Sequence, residues 1–153
     1  MYNSDELEKR IALAFKNFEA GYNCSQSVFM AYADIYGITP ELAAKLASSF
    51  GGGMGKLREV CGAVTGMFLT LGLHYPATDV NNKEAKATNY DAVQRTAKIF
   101  KDKMGTYNCG ELLSIQEQLI NSTPDEQCNN SKTLHTCKNY VAFAAEIVGR
   151  EVL

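Results

Sequence analysis

The side chains best suited to chemistry in this 153-residue chain are its cysteines, Cys24, Cys61, Cys109, Cys128 and Cys137. No two of them are separated by only two residues, so the chain has no C-x-x-C motif. Cys61 begins the segment Cys61-Gly62-Ala63-Val64-Thr65-Gly66, shortly after a glycine-rich loop at residues 51–55. Small residues beside a cysteine on an apolar helix leave room for another group to approach the sulfur. The segment therefore predicts a functional site rather than simple core filling.

The tripeptide Tyr-Asn-Cys occurs twice, ending at Cys24 and at Cys109. Each copy lies at a predicted helix start, and each asparagine is followed three residues later by Gln or Glu, which is a variant of the capping box. Both cysteines then fall in the first turn of a helix, where the partial positive charge favours thiolate over thiol. We therefore interpret Cys24 and Cys109 as functional thiols. The alternative is that they are small buried hydrophobic residues.

The remaining cysteines differ in their predicted settings. Cys61 lies near the start of a predicted central helix. Cys137 lies in the middle of a predicted helix on the same face as Leu134 and Val141, a position equally consistent with the core and with a site. Cys128 lies in a polar loop without amphipathic pattern, where a free surface thiol and an auxiliary resolving cysteine are both open interpretations.

Other candidate chemistry is weakly represented. The cysteine spacings match no zinc-finger or ferredoxin pattern, so spacing neither supports nor excludes a metal. His74 follows the central helix and His135 lies on a different helix face from Cys137, so neither is a favoured ligand. The glycine-rich loop lacks the phosphate-binding signature and is interpreted as a lid or a tight passage between helices. No carboxylate pair indicates acid–base catalysis.

Charge and hydropathy exclude several classes of partner. The chain has 15 basic and 17 acidic residues and no basic stripe, so nucleic acid is not an expected partner. No stretch predicts a signal peptide or a membrane span, and we expect a cytoplasmic protein. In a reducing compartment, converging cysteines are more often catalytic, redox-sensing or metal-binding than structural.

Apolar spacings of three and four residues recur throughout and predict an all-α, single-domain bundle of about six helices over residues 1–153. The helices are predicted at residues 4–19, 24–36, 39–50, 57–71, 83–104 and 132–149, with a shorter one starting near Cys109. The helix at 57–71 is apolar nearly all round and is expected at the centre. Gly62 and Gly66 share one strip of it. Each costs about 1 kcal/mol relative to alanine, which close packing or access to a bound group must offset, so both are candidate cofactor-binding positions.

The order of Cys24, the Cys61–Gly66 segment, Cys109 and Cys137 resembles the redox-active protein family named for the motif C_GCAxxG_C_C. The resemblance covers residues 21–148 and implies a small helical protein whose shared cysteines are these four, with Cys128 as an extra one. The chain reads Val60-Cys61-Gly62-Ala63 where the family name has Gly-Cys-Ala. A related module in certain multihaem cytochromes implies an iron–sulfur cluster. This chain has no C-x-x-C-H and therefore no covalent c-type haem.

Two functional hypotheses follow, together with a plainer one. In the first, Cys61 pairs reversibly with Cys24 or Cys109, Cys137 is a second partner, and an unidentified redox partner supplies or accepts electrons. In the second, the same four cysteines ligate zinc or an iron–sulfur cluster. The third is a helical adaptor with incidental thiols. Apolar helix faces would permit a homodimer without requiring one.

Overall fold

The computed structural model describes residues 3–121 and 134–153. These residues form an all-α fold, as predicted, without any β-strand in the described ranges. The α-helices are α1 Ser4–Glu19, α2 Cys24–Met30, α3 Pro40–Ala47, α4 Gly51–Met54, α5 Gly62–His74, α6 Lys83–Met104, α7 Cys109–Ile120 and α8 Cys137–Val152. Two 3₁₀ turns complete them, at Ala33–Tyr36 and Ser48–Phe50.

The local signals that begin and end helices act where the sequence predicts them. The side chain of Thr39 accepts a hydrogen bond from the Leu42 amide, and Pro40 occupies the first position of α3. Gly37 ends the preceding 3₁₀ turn with φ of 74°, in the left-handed region that favours glycine. Helices α1 and α6 have the predicted bounds. None of the described helices is long and apolar enough to cross a membrane.

Several predicted helix boundaries are wrong, including the end of the third helix, which stops at Ala47 and is followed by the 3₁₀ turn Ser48–Phe50. The helix predicted over 24–36 is α2 followed by a 3₁₀ turn, because the backbone leaves the α conformation at Tyr32. The central helix starts at Gly62 instead of residue 57, and Leu57 is 73% exposed. The last helix starts at Cys137, because Thr136 is extended and caps it. In the central and the last helix, apolar spacing continues on the N-terminal side of the observed start, so periodicity alone placed the start too early.

Helix α5 lies in the main core, as its apolar composition predicts. It packs against α2 and α8 and more lightly against α6, while α1 covers α2 and α8. Val64, Met67 and Leu71 of α5 are completely buried. The buried hydroxyl of Tyr32 donates a hydrogen bond of 2.6 Å to the Ala145 carbonyl of α8. This bond ties the segment after α2 to the last helix without leaving a buried polar group unpaired.

The backbones of α2 and α5 approach closely at the two glycines singled out in the sequence. A Cβ on Gly66 would lie 2.6 Å from the Ser25 carbonyl oxygen and 3.0 Å from Val28 Cβ. A Cβ on Gly62 would lie 3.1 Å from Cys24 Cβ. Close helix packing therefore offsets the low helix propensity of both glycines.

We expect Gly66→Ala to destabilise the protein by about 1–3 kcal/mol, because the new methyl group meets backbone that cannot move away independently. Gly72→Ala is the matched control: it lies on the same helix with nothing within 4 Å of its Cβ position. That change should stabilise the protein by up to about 1 kcal/mol through helix propensity. Urea unfolding followed by circular dichroism measures both. Equal stability of the two variants would contradict this packing.

Candidate functional site

Four cysteines stand at the starts of four helices. Cys24 is the first residue of α2, Cys109 of α7 and Cys137 of α8. Cys61 is the residue immediately before α5, in the N-cap position. The predicted helix-start positions of Cys24 and Cys109 are confirmed, whereas the predicted mid-helix position of Cys137 is wrong. Each sulfur thus lies near the positive end of a helix, a setting that favours a thiolate.

Three of these starts are built in the same way. The residue before the cysteine has an extended backbone, and its side-chain oxygen accepts a hydrogen bond from the amide three residues on. The distances are 2.9 Å for Asn23, 2.9 Å for Asn108 and 3.2 Å for Thr136. The capping box is reciprocal at Asn23, but the amide of Asn108 donates to Thr106 instead. This arrangement places a cysteine at the first helical position each time.

A short backbone pairing brings the starts of α5 and α7 together. The Cys61 amide donates to the Tyr107 carbonyl at 2.8 Å, and the Cys109 amide donates to the Glu59 carbonyl at 2.6 Å. Val60 and Asn108 form an isolated antiparallel bridge between these bonds. Cys61 and Cys109 therefore follow paired residues on two neighbouring segments.

All four cysteines line one cavity of about 240 Å³. Helices from distant parts of the chain thus deliver their thiols to one space. Gly62 lines the cavity, but Gly66 contacts α2 and is not among the lining residues. The other lining side chains and glycines are Phe18, Asn23, Gly52, Arg58, Gly62, Leu112, Leu113, Gln116 and Tyr140.

Cys24 and Cys137 line the same cavity, and the interaction between their side chains shifts the pKa values of the two thiols in opposite directions. The Cys24 thiol holds the pKa of Cys137 well below that of an ordinary thiol, with further help from Gln116 and the positive charge of Arg58. Gln116 Nε2 donates to Cys137 Sγ at 3.6 Å. The interaction with Cys137, followed by burial, raises the pKa of Cys24. These directions favour Cys137 over Cys24 as the thiolate of the pair.

Cys61 has the opposite character. It is 5% exposed, and burial raises the pKa of its thiol to about 12, although the backbone amides of Ala63 and Val64 donate to the sulfur and act in the other direction. Desolvation thus outweighs the helix-start hydrogen bonds at this position. Cys61 is a protonated thiol at neutral pH and a poor attacking group.

Arg58 provides the positive charge of the cavity. Its Nη1 lies 3.8 Å from Cys109 Sγ, within hydrogen-bonding distance of a sulfur acceptor. The residue follows the glycine-rich loop, and sequence reasoning did not select it. It lies immediately before the Glu59–Cys61 segment that pairs with the start of α7.

The loop before Arg58 has an unusual backbone. Met54, Lys56 and Arg58 all have positive φ, at 69°, 67° and 62°. For residues other than glycine this conformation costs about 1–2 kcal/mol each. Gly53 also has positive φ, and a Cβ there would lie 2.6 Å from Cys109 Cβ. The loop is therefore a tight passage against the site, one of the two interpretations that the sequence left open.

The remaining candidates lie away from the four thiols or outside the described residues. His74 Nδ1 is 3.0 Å from the Tyr36 hydroxyl, and His135 Nδ1 is 2.9 Å from the Tyr140 hydroxyl. Neither histidine lines the cavity. Cys128 falls within residues 122–133, which the structure does not describe.

The chemistry of the four thiols suits a metal ion, but their arrangement does not. Four thiols on one cavity are the right ligands for zinc or an iron–sulfur cluster. Within residues 3–121 and 134–153, however, no three Cys, His, Asp or Glu side chains are gathered closely enough to hold a metal ion. A bound metal would therefore require these side chains to move closer together.

Sequence reasoning missed the helix start at Cys137 and the roles of Arg58 and Gln116. A signal for Cys137 was available: Thr136-Cys137 repeats the order of a capping residue followed by cysteine found at Asn23 and Asn108. Nothing local marks Arg58, because its left-handed backbone occurs without a glycine at that position.

Comparison with known proteins identifies a family. The family model described as "Putative redox-active protein (C_GCAxxG_C_C)" matches residues 22–151. No curated protein and no solved structure matches the chain significantly.

We expect Cys137 to be alkylated by iodoacetamide faster than Cys61, and to keep reacting as pH falls from 8 to about 6.5, where ordinary thiols are protonated. Cys24→Ala removes the neighbouring thiol and raises the pKa of Cys137, so its rate near pH 6.5 should fall at least about threefold. Mass spectrometry of each cysteine measures the rates.

Cys61→Ala is the control, because Cys61 is not among the groups that lower the pKa of Cys137. It should leave the pH profile of Cys137 nearly unchanged. If the Cys137 profile in the native protein followed that of the unfolded chain, the assignment of Cys137 as the thiolate would be wrong.

Proposed function

This chain belongs to the C_GCAxxG_C_C family, and we propose that it is a thiol–disulfide redox protein whose reactive pair is Cys137 and Cys24. The observation that carries the proposal is the arrangement of the two cysteines: both line one cavity, and Gln116 Nε2 donates to Cys137 Sγ at 3.6 Å. The pair combines a thiolate with a lowered pKa and a thiol with a raised pKa, and disulfide exchange needs both.

In the oxidising direction the Cys137 thiolate attacks one sulfur of a substrate disulfide. A bond forms between Cys137 Sγ and that sulfur, the substrate S–S bond breaks, and the other substrate half leaves as a thiolate. Gln116 Nε2, which donates to Cys137 Sγ at 3.6 Å, stabilises the attacking group before the step. The product of this step is a mixed disulfide on Cys137.

In the second step Cys24 attacks Cys137 Sγ in the mixed disulfide. Its proton passes to the first departing thiolate, the Cys24–Cys137 bond forms, and the second substrate half leaves as a thiolate. The substrate gains two electrons and the protein loses two. A dithiol running the same steps in reverse restores the reduced pair, so a cytoplasmic, reducing setting suits the cycle.

Cys61 and Cys109 form the second pair in this proposal. Their helix starts are joined by two backbone hydrogen bonds, from the Cys61 amide to the Tyr107 carbonyl and from the Cys109 amide to the Glu59 carbonyl. Because Cys61 is protonated and nearly completely buried, it would react only after exchange had begun elsewhere in the cavity. The sequence hypothesis gave the attack to a helix-start thiolate that pairs with Cys61 and made Cys137 a second partner. The lowered pKa of Cys137 and the hydrogen bond from Gln116 instead support Cys137 as the first nucleophile.

A metal centre is the second candidate function, supported by the convergence of four thiols on one cavity. Cys24, Cys61, Cys109 and Cys137 would be the ligands, and their thiolates suit zinc or an iron–sulfur cluster. Such a cluster would supply one-electron transfer. The chain's own contribution would be to deprotonate all four thiols and exclude water from the cavity.

The thiol proposal predicts which disulfide forms. Treatment of the reduced protein with hydroxyethyl disulfide should yield a Cys24–Cys137 disulfide, located by peptide mapping. Cys24→Ser should instead accumulate a mixed disulfide on Cys137, since the resolving thiol is absent, and Cys137→Ser should slow the reaction by at least about tenfold. Cys61→Ser is the control and should retain the first bond. Formation of Cys61–Cys109 alone in the wild type would overturn the assignment of the pair.

Purification without oxygen separates the thiol function from the metal function. We expect protein free of zinc and iron by elemental analysis, without visible absorption, and with the helical circular dichroism of the fold. Stoichiometric metal lost in parallel with fold stability on chelation would support the metal centre instead.

A further inference from the structure

We infer that the thiol cavity selects substrates that carry a negative charge close to the sulfur under attack, and that Arg58 is the selecting residue. The inference rests on the proposed function, because it names the class of disulfide that the Cys137–Cys24 pair would exchange with. The carrying observation is that Arg58, an exposed residue, lines the cavity that holds the four thiols and places its Nη1 3.8 Å from Cys109 Sγ.

Apart from the Cys137 thiolate, Arg58 is the only charged side chain among the residues that line the described cavity. The remaining lining consists of thiols, apolar side chains, amides, glycines and one tyrosine. Among the described residues, no carboxylate lines the cavity beside the guanidinium. Besides the thiolate that attacks it, a substrate entering this space meets the guanidinium, which attracts anions and repels cations.

The backbone of Arg58 is fixed on both sides. Its amide donates to the Gly52 carbonyl at 3.3 Å, and its carbonyl accepts from the Gly110 amide at 3.3 Å. Two glycines also make room for the side chain. A Cβ on Gly110 would lie 3.3 Å from Arg58 Cβ, and a Cβ on Gly52 would lie 3.6 Å from Nη1. The stem is thus held between the glycine-rich loop and the start of α7.

The position is held in the left-handed region, with φ of 62°, which an arginine adopts at a cost. The backbone bonds to Gly52 and Gly110 keep the residue there although a glycine would fit without strain. A strained backbone that delivers one cation to a group of thiols favours a role for that cation in the site.

A substrate can offer the guanidinium a stronger hydrogen-bond acceptor than the one it contacts in the protein. Nη1 contacts Cys109 Sγ at 3.8 Å, and sulfur is a weak acceptor. A carboxylate makes shorter, charge-assisted bonds to arginine and accepts two of its N–H groups at once. A disulfide with a carboxylate a few bonds from its sulfurs would place that carboxylate on Arg58 and its S–S bond among the thiols.

The test compares three disulfides of similar size: dithiodipropionate, which is anionic, hydroxyethyl disulfide, which is neutral, and cystamine, which is cationic. We expect reduction by the protein to follow the order anionic, neutral, cationic, with about tenfold between the ends at low ionic strength and less in high salt. Rates are divided by those of a free peptide thiol to remove the intrinsic reactivity of each reagent.

In Arg58→Gln the ratio between anionic and cationic disulfides should fall to about one. The ratio is the readout because loss of Arg58 also slows every substrate through the Cys137 thiolate. Arg58→Lys should keep most of the preference. Lys56→Gln is the matched control, since Lys56 is a cation with φ of 67° in the same loop but does not line the cavity. Its ratio should stay at the wild-type value.

Alkylation separates this inference from the proposed function. Iodoacetate and iodoacetamide react with accessible thiolates whether or not the protein exchanges disulfides, and only iodoacetate is charged. The normalised rate at Cys137 should favour iodoacetate in the wild type and lose that preference in Arg58→Gln, with folding checked by circular dichroism. Equal charge preference in the wild type and Arg58→Gln overturns the inference. Charge preference without any disulfide exchange overturns the proposed function and leaves an anion-selective thiol site.

Discussion

The contact between the backbones of α2 and α5 is the constraint on which the site depends. Gly66 fits against the Ser25 carbonyl, and one turn earlier Gly62 fits against Cys24. Because the two helices are in close contact at these glycines, the starts of α2 and α5 lie side by side and place Cys24 and Cys61 on one cavity. A larger residue at either glycine would separate the helix starts and move the thiols apart.

The chemical character of the cysteines results from two opposing effects at similar helix positions. A helix start and its free amides favour a thiolate, whereas burial disfavours it. At Cys61 burial prevails and the pKa rises to about 12. At Cys137 the interactions with Cys24 and Gln116 prevail and the pKa falls. The site therefore contains thiols of different reactivity, and burial and the immediate hydrogen-bond partners together determine the difference.

Sequence reasoning reached the parts of this site that depend on local signals. The caps at Asn23 and Asn108 placed Cys24 and Cys109 at helix starts, and the glycine spacing predicted the close packing of α5. The start at Cys137 was missed because the apolar period ran through it and outweighed the cap at Thr136. The pairing of Val60 with Asn108 and the left-handed Arg58 depend on contacts between distant segments, which no local pattern encodes.

Cys24 and Cys137 are neighbours in space but lie near opposite ends of the chain. A bond between them would close a loop of more than about a hundred residues and, in the chain-entropy description, reduce the freedom of the unfolded state by about 4–5 kcal/mol. Since that loop includes every helix from α2 to α7, oxidation would raise the resistance of most of the fold to unfolding. Redox state and thermal stability would then be linked, and the melting temperature would report whether Cys24 and Cys137 are reduced or joined in a disulfide.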